Sequence, residues 1–437
     1  MERIYVNQIQ GKIGQKILLK GWVHVLRDHG KIKFLILRDI TGTLQCVINS
    51  NIIEAFKTSE TLTQESVVSV TGVIVEKKQA PGEVELQVES IEILSLASPE
   101  LPIPIVEKNE NETEQSIRLD WRWLDLRKPE KALIFKVWTA MEEAFREYWV
   151  KNNFIEIHSP KFMSTPSESG AELFEVKYFD RTAYLAQSPQ FYKQMGMAAG
   201  FEKVFEVGPI FRANPSFTSR HDTEFTGYDM EISFINSFQD VICEEEQLLM
   251  FVIKTIKEQY GEQVKKFYGR EIIIPTSHFP QVTMKEAKSI LAKLGVTSEE
   301  EGDLNQEEEI KLCEYIKREH GHEFVFVTKY PISVRPFYHM RDTEDSNLTN
   351  SFDLLWNGLE ITTGAQREHR YDILVKQAKE KGLTLEPIQT YLNFFKFGCP
   401  PHGGCGIGPS RIIMKLLGVS NVREVTYLYR GVKRLTP

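Results

Sequence analysis

The sequence predicts an α+β protein in which a small N-terminal β-barrel precedes a larger domain of sheet and helices. Three observations carry this prediction. Residues 1–95 alternate short apolar segments with turns such as DHG, DITG and APG. The remaining chain contains long segments of helical periodicity between shorter strand-like ones. Between the two parts, ASPELPIPIV at 97–106 carries prolines that favour an extended linker.

The N-terminal part contains five predicted strands, at 15–25, 31–38, 43–49, 67–75 and 83–94. The segment IIEAFKTSETLTQES, between the third and the fourth, has helical character. Five strands with a helix in that position are typical of an OB-fold barrel, a module that often holds single-stranded nucleic acid. A plain barrel without a ligand fits this pattern equally well.

The larger domain combines long helices with short strands. Its predicted elements are a helix at 133–153, strands up to residue 236, a helix at 237–261, an insertion at about 262–330, strands around 351–363 and 393–398, and a helix from about Arg411. We therefore expect a first domain at 1–104, a hinge at 105–130 and a second domain at 131–437.

Composition excludes several classes of protein. The 437 residues are 41% hydrophobic and 26% charged, with a net charge of -8. Sequence-independent affinity for nucleic acid rests on many Lys and Arg side chains, so this acidic chain is not a general polyanion binder. Its apolar runs are shorter than the roughly 18 residues of a membrane span. Five cysteines do not suggest a disulfide framework. We expect a cytoplasmic protein without a signal peptide or a membrane segment.

Polar residues cluster in three strand-like contexts. The segments are QSPQFYKQ at 187–194, FRANPSFTSRHDTEFTGYDMEISF at 211–234 and SFDLLWNGLEITTGAQR at 351–367. In the first, Gln187, Gln190 and Lys193 recur every three residues. A strand-to-helix turn at this point would direct several hydrogen-bond donors to one place.

The second and third clusters carry complementary charges. Arginine forks in the second, at Arg212 and Arg220, suit a phosphate or a carboxylate, and Asp229 shares one face of a strand with Glu231. In the third, the carboxylates at 353 and 360 are hard oxygen ligands that suit magnesium bound to nucleotide phosphates. Taken singly, each cluster also fits surface salt bridges or an exposed polar face.

Together the clusters resemble the motifs of class II aminoacyl-tRNA synthetases, and the whole chain is similar to the aspartyl enzymes of archaeal and eukaryotic type. FIEIHSP at 154–160 resembles the first class motif, whose proline, here Pro160, lies at a homodimer interface. RLDWRWLDLR at 118–127 resembles the hinge, and PSESGAELF at 166–174 resembles a mobile loop that closes over the amino acid. QSPQFYKQ is close to the aspartyl pattern, since asparaginyl enzymes have an uncharged residue at the position of Lys193.

This resemblance implies a class II antiparallel sheet, flanked by helices, that activates L-aspartate with ATP and Mg²⁺. The aspartate-binding residues it implies are Glu168, Ser188, Gln190, Lys193, Asp229 and Arg367. The residues implied for ATP are Arg212, His221, Phe225 and Arg411, and those for magnesium are Asp353 and Glu360.

The implied roles follow the chemistry of adenylation. Lys193 and Arg367 would pair with the β-carboxylate of aspartate, where a neutral amide would leave buried charges uncompensated. Arg212 and Arg411 would hold the α- and γ-phosphates, and Phe225 would stack on adenine. The aspartate α-carboxylate would then attack the α-phosphate in line, helped by positioning and electrostatics rather than by a nucleophilic side chain.

The resemblance also assigns the barrel to the anticodon of tRNA. Phe34, Gln45 and Glu85 fall where the family reads the three anticodon bases. His24 and Pro81 resemble the relaxed form of the archaeal enzymes, which charges tRNA(Asn) as well as tRNA(Asp). The expected partners are therefore both tRNAs, L-aspartate and a second copy of the chain.

Three positions depart from the family pattern on the nucleotide side. Asn214 stands where a Glu is usual, Ser410 where an acidic residue precedes the motif arginine, and Gly431 where an Asp follows Arg430. These departures leave two alternatives open. The chain could be a specialised aspartyl paralogue, with inhibitor resistance or another aspartate acceptor, or a catalytically silent tRNA-binding protein.

Overall fold

The computed structural model describes residues 1–106, 112–165, 172–215, 218–300 and 302–437. It forms two compact units, Met1–Pro104 and Ile105–Pro437. Glu168 lies outside the described residues, and so does the side chain of Pro81. Across the described ranges no helix combines the length and the apolar character needed to cross a membrane.

The first unit is a closed five-stranded barrel. Its elements are β1 (Lys16–Asp28), β2 (Ile32–Arg38), β3 (Thr43–Asn49), α1 (Ile53–Glu60), β4 (Val67–Glu76) and β5 (Val84–Ser95), with 3-10 turns at Val6–Gln8 and Pro81–Glu83. The strand order is β1-β2-β3-β5-β4. Alternate residues such as Leu35 and Leu37 fill the core, as the period of two in a strand requires. The predicted barrel with a helix between the third and fourth strands is confirmed, although α1 is shorter than expected.

The second unit is built on an eight-stranded, mostly antiparallel sheet in the order β12-β13-β14-β15-β16-β11-β10-β6. Its strands are β6 (Ile155–Glu156), β7 (Phe162–Met163), β8 (Glu175–Tyr178), β9 (Arg181–Leu185), β10 (Lys203–Phe211), β11 (Glu224–Ser233), β12 (Gln281–Thr283), β13 (Phe324–Thr328), β14 (Ser351–Trp356), β15 (Glu360–Arg367) and β16 (His402–Ile407). Strands β7, β9 and β8 form a separate small sheet. The α+β class predicted from the sequence is confirmed.

Helices cover this sheet. They are α2 (Gln115–Asp120), α3 (Arg122–Asp125), α4 (Pro129–Lys151), α5 (Gln190–Ala198), α6 (Phe238–Tyr268), α7 (Met284–Lys293), α8 (Gln306–His320), α9 (Tyr371–Glu380), α10 (Gln389–Lys396), α11 (Pro409–Leu417) and α12 (Val422–Val425). Helices α4 and α6 share the main core with the sheet, where Trp149 stacks on Phe205 at 4.6 Å between ring centroids. Ser237 caps the start of α6 by accepting from the Gln239 amide, which explains where this long helix begins.

Two parts of the second unit differ from the sequence expectation. The strand expected around 393–398 is wrong, because residues 393–396 are the last turn of α10. Its buried residues Tyr391, Leu392 and Phe395 follow helical spacing, and the strand comes later, as β16. Residues 262–330, expected to be an insertion, begin inside α6, and they contribute β12 and β13 to the eight-stranded sheet.

A buried ion network joins the two ends of the second unit. Glu424, on α12, accepts from Arg118 Nη2 at 2.6 Å and from Lys131 Nζ at 2.9 Å. Burial alone would raise the pKa of Glu424, but the hydrogen bond from Arg118 and the charge of Lys131 outweigh it and lower the pKa. A carboxylate held in this way stabilises the fold in its ionised form.

We predict that Glu424→Gln lowers the free energy of unfolding by about 3 kcal/mol, because Arg118 and Lys131, both buried, lose the carboxylate that they share. The difference in stability between wild type and variant should have its full size above pH 4.5, the ordinary pKa of a glutamate. It should shrink as the pH falls below that value, since wild-type Glu424 then becomes protonated. The free energy of unfolding is measured by urea denaturation at each pH. Glu258→Gln, in an exposed pair with Lys254, is the control and should cost less than about 0.5 kcal/mol. Equal effects in the two variants would contradict the prediction.

Candidate active site

A cavity of ≈ 330 Å³, called the active-site cavity below, opens in the second unit beside β11, β15 and β16. Most residues that the sequence predicted for amino-acid and nucleotide binding line it, namely Ser188, Gln190, Lys193, Arg212, His221, Phe225, Asp229, Glu360, Arg367 and Arg411. Positions far apart in the chain thus meet at one site, which is what a common chemical role requires.

The glycine-rich sequence of β16, HGGCGI, makes room for carboxylates on the neighbouring strand. β16 pairs with β11 so that Gly404 lies opposite Glu231 and Gly406 opposite Asp229. A Cβ on Gly404 would lie 2.1 Å from the Met230 carbonyl oxygen and 2.3 Å from Glu231 Oε2. Glycine is therefore required at Gly404 if Glu231 is to occupy its buried position.

Four charged side chains form a network in the wall of the cavity. Lys193 Nζ donates to Asp229 Oδ1 at 2.9 Å and lies 3.3 Å from Glu231 Oε2. Arg367 Nε donates to Glu231 Oε1 at 3.0 Å, and its Nη1 donates to His339 Nε2 at 2.9 Å. Lys193, Glu231 and Arg367 are 1%, 0% and 3% exposed. Glu231 thus binds both cations, while Asp229 lies at the surface of the cavity.

The charges of this network are stable because its members compensate one another. Burial alone would lower the pKa of Lys193, but Asp229 and Glu231 outweigh it and raise that pKa. Burial alone would raise the pKa of Glu231, but Arg367 and Lys193 outweigh it and lower that pKa. Burial and the charge of Arg367 lower the pKa of His339 well below its ordinary value, so this imidazole is neutral and accepts from Arg367. Two fixed cations therefore border the cavity.

Gln190 belongs to a chain of hydrogen bonds beneath the cavity. Its Nε2 donates to Gln194 Oε1 at 2.9 Å, and Gln194 contacts His402 Nε2 at 2.9 Å and Tyr391 at 3.0 Å. Ser188 Oγ accepts from the Gln190 amide at 3.2 Å and orders the start of α5. The side chain of Gln190 is thus fixed in the wall of the site.

The opposite end of the cavity carries an aromatic ring, arginines and a neutral histidine. The Arg212 guanidinium carbon lies 5.8 Å from the centroid of the Phe225 ring, on the hairpin formed by β10 and β11. Burial, together with the charges of Arg411, Arg220 and Arg212, lowers the pKa of His221 to about 4. At neutral pH His221 is an uncharged hydrogen-bonding group beside fixed cations, a setting that suits a polyanion and an aromatic base.

The predicted magnesium ligands are Asp353 on β14 and Glu360 on β15; Glu360 lines the cavity, whereas Asp353 is not among the lining residues. Burial raises the pKa of Glu360, and the charge of Asp353 raises it further against the opposing effect of Arg411. Across the described ranges, no group of three or more His, Cys, Asp or Glu side chains is placed to hold a metal ion. Mg²⁺ usually binds one or two carboxylates together with phosphate oxygens. The pair therefore fits a magnesium ion that arrives with a nucleotide.

The three departures from the family pattern differ in their surroundings. Asn214 and Ser410 line the cavity. Gly431 has no room for a side chain, since a Cβ would lie 2.3 Å from the hydroxyl oxygen of Tyr429. Asp222 also lines the cavity, and burial raises its pKa to about 7, so an acid is present on this side at a position that sequence reasoning did not choose.

Sequence reasoning missed further lining residues, among them Asp222, Arg335, Tyr338 and His339. Asp222 is adjacent to His221 in the second cluster, so its position was a usable signal. Arg335 and His339 lie in the irregular segment between β13 and β14, where no periodicity marks a buried side chain.

The residues predicted to contact the anticodon lie together on the barrel. Phe34, Gln45 and Glu85 line a concavity of ≈ 380 Å³. Gln45 Nε2 donates to Glu85 Oε2 at 3.0 Å, and Gln87 Nε2 donates to Glu85 Oε1 at 2.8 Å. Phe34 is half-buried and contacts His29 edge-on at 5.6 Å, so it is not a barrel core residue. The surface combines one aromatic face with fixed polar edges, as base recognition needs.

Two further predicted residues, His24 and Pro160, are not among the lining residues of either cavity. His24 Nδ1 accepts from Arg38 Nη1 at 2.8 Å, and Arg38 in turn pairs with Glu65 at 2.7 Å. Pro160 is exposed beside β6. The assignments of both residues, like those of Glu168 and the Pro81 side chain, stay predictions.

Comparison with known proteins gives one family match in each of the two units. A family described as tRNA synthetases class II (D, K and N) matches residues 114–430, and an OB-fold nucleic acid binding domain matches residues 17–94.

Two kinds of aspartate ligase and an asparaginyl-tRNA synthetase resemble the chain over nearly its full length. The Aspartate--tRNA(Asp/Asn) ligase of Aeropyrum pernix is 42% identical over 97% of this chain and 96% of that protein. The Aspartate--tRNA(Asp) ligase of Pyrococcus abyssi is 40% identical over 99% of both. The crystal structure of asparaginyl-tRNA synthetase from Pyrococcus horikoshii, complexed with asparaginyl-adenylate, superposes with a TM-score of 0.92 at 32% identity and covers 100% of both chains.

The family match spans most of the second unit and includes the residues of the active-site cavity, so the resemblance found in the sequence is confirmed. The chain belongs to the class II tRNA synthetases of the D, K and N group.

Proposed function

We propose that the protein is an ATP-dependent ligase that activates L-aspartate to aspartyl-adenylate and transfers it to tRNA(Asp), and also to tRNA(Asn). The observation that carries this proposal is the pair of buried cations, Lys193 and Arg367, in the wall of the active-site cavity. The relatives named as aspartate ligases support it as well.

The cations favour aspartate over asparagine. Lys193 and Arg367 are both charged and shielded from water, so an incoming β-carboxylate would meet two complementary charges. The asparagine amide carries no charge, and its NH₂ group would face ammonium and guanidinium donors. Asp229, at the cavity surface, would exchange Lys193 for the ammonium group of the amino acid. Ser188, Gln190 and Glu168 would help to hold that group.

The nucleotide end supports adenylation. Arg212 would hold the α-phosphate, Arg411 the γ-phosphate and Phe225 the adenine ring. His221 would donate or accept near the phosphates without adding charge. Asp353 and Glu360 would hold Mg²⁺, which neutralises phosphate charge when bound. The α-carboxylate of aspartate would displace pyrophosphate, and the terminal ribose hydroxyl of tRNA would then take the aspartyl group.

The barrel supports recognition of tRNA. Phe34 would stack on an anticodon base, and Gln45 and Glu85 would form hydrogen bonds with base edges. Since Arg38 always donates, its bond to His24 Nδ1 leaves Nε2 of the neutral ring as a donor. A donor can bond the O2 atom that cytosine and uracil share, which supports a relaxed choice between the two tRNAs.

We further propose a homodimer with Pro160 at its interface, a hinge at 105–130 and work in the cytoplasm. All five cysteines are free thiols, which fits a reducing compartment.

The first prediction of this proposal concerns adenylation without tRNA. Aspartate, ATP and magnesium should support pyrophosphate exchange, and asparagine should be at least about a hundredfold poorer in kcat/KM, because its amide brings no charge to complement Lys193 and Arg367. Exchange with asparagine alone would contradict the aspartate assignment. No exchange with either amino acid would favour a silent tRNA-binding protein, and exchange without transfer to tRNA would favour another acceptor.

The second prediction separates the two units. Phe34→Ala should lower kcat/KM for tRNA aminoacylation about tenfold, because one stacked base is lost, and should leave tRNA-independent exchange unchanged. Tyr5→Ala removes another exposed ring of the first unit and serves as the control. Unaltered aminoacylation by Phe34→Ala would show that this concavity does not contact the anticodon.

A further inference from the structure

Arg335 forms part of the wall of the active-site cavity, at the side of β14 and β15. Its Nη2 donates to Asp353 Oδ2 at 2.6 Å, and its Nη1 donates to Thr363 Oγ1 at 3.1 Å. The guanidinium carbon lies 3.7 Å from the centroid of the Tyr330 ring. Its Nε is buried and has no acceptor among the described residues. Arg335 is therefore oriented by stacking and by one carboxylate, and it retains a donor that is not used.

The second predicted magnesium ligand has the same kind of partner. Arg411 Nη1 donates to Glu360 Oε1 at 3.2 Å and to the Glu360 carbonyl oxygen at 2.7 Å. Arg335 and Arg411 both line the cavity. Asp353 is buried and Glu360 is half-buried, and each of these predicted metal ligands receives a counter-charge from an arginine that also faces the site.

We propose that Arg335 is a further nucleotide-binding residue that exchanges partners during binding. It neutralises Asp353 while the metal is absent, and it binds the polyphosphate of ATP once Asp353 holds the metal. This inference rests on the proposed function, since the metal and the nucleotide are those of that function.

The exchange follows from charge and geometry. Once Asp353 binds a divalent cation, its attraction for Arg335 weakens, because the cation and the guanidinium of Arg335 repel each other. In the filled cavity the anion available to Arg335 is the polyphosphate. The planar guanidinium fork matches phosphate oxygens, and the contact with Tyr330 keeps its plane oriented while the partner changes.

The test compares Arg335→Gln with wild type and with Arg341→Gln. Arg341 lies in the same segment and pairs with Glu380 at the surface, so it controls for the loss of an arginine. Three binding constants are measured: Mn²⁺ alone by electron paramagnetic resonance, and Mg·ATP and adenosine by calorimetry.

The proposal predicts opposite changes in Arg335→Gln. Mn²⁺ should bind about tenfold more tightly, because Asp353 no longer has a competing partner, and Mg·ATP about tenfold more weakly, because a charged hydrogen bond to phosphate is lost. Adenosine, which has no phosphate, should bind as before, and Arg341→Gln should match wild type throughout. Unchanged affinity for Mn²⁺ or for Mg·ATP would overturn the proposal, as would an equal loss for adenosine.

A second comparison covers the case in which Arg335→Gln fails to fold because Asp353 loses its partner. Asp353→Asn and the double variant Arg335→Gln/Asp353→Asn contain no unpaired carboxylate at this position. The double variant should bind Mg·ATP about tenfold more weakly than Asp353→Asn, and equal affinities would overturn the proposal. Failure of wild type to exchange pyrophosphate would count against the proposed function, whereas these binding constants are measured without aspartate.

Discussion

The site in the second unit depends on one buried carboxylate, Glu231. It is fully buried and binds both Lys193 and Arg367, so neither cation can leave without exposing an uncompensated charge in a region of low dielectric. Two neighbouring features accommodate Glu231 and its partners. β16 has glycine opposite Glu231, and neutral His339 accepts a hydrogen bond from Arg367. The fixed positions of these two cations are thus a consequence of how the sheet buries one acid.

The same balance of charge organises the rest of the active-site cavity. Asp229 pairs with Lys193, Asp353 with Arg335 and Glu360 with Arg411, so the acids at this site have cationic partners that binding can replace. Under the proposed function, a zwitterionic amino acid and a metal nucleotide would bring charges of their own to these pairs. Such a site is organised before binding, which limits the free energy spent on reorganisation.

The departures from the family pattern fit this balance. Neutral Asn214 and Ser410 leave the lining with fewer acids, which favours a polyanion, and Asp222 adds an acid that burial keeps partly protonated near neutral pH. Gly431 is coupled to Tyr429, whose hydroxyl oxygen occupies the space that a side chain at 431 would need. An acid at position 431 therefore cannot be introduced here without moving a buried ring.

Local patterns predicted the parts of the molecule that local forces decide. The barrel strands followed from their period of two, and the motif residues around Lys193 and Arg212 followed from spacing and resemblance. The segment 393–398 was mistaken for a strand because a short apolar run does not distinguish a buried helix from a strand. Arg335 could not be predicted, because its place in the cavity is decided by the irregular path of the segment between β13 and β14, which sets it against Tyr330, and by Asp353 on β14. Glu231 was placed on the correct face, but its role as the shared partner of two cations needed the tertiary structure.

The most direct test of this account is the ratio of kcat/KM for aspartate to that for asparagine in pyrophosphate exchange, compared between wild type and Lys193→Gln. Arg367 remains paired with Glu231 in the variant, and circular dichroism checks that the variant folds. If the buried cations select the β-carboxylate, the ratio should fall at least about a hundredfold, because a neutral amide replaces one of two complementary charges. A variant that folds and keeps the wild-type ratio would show that amino-acid selection lies elsewhere.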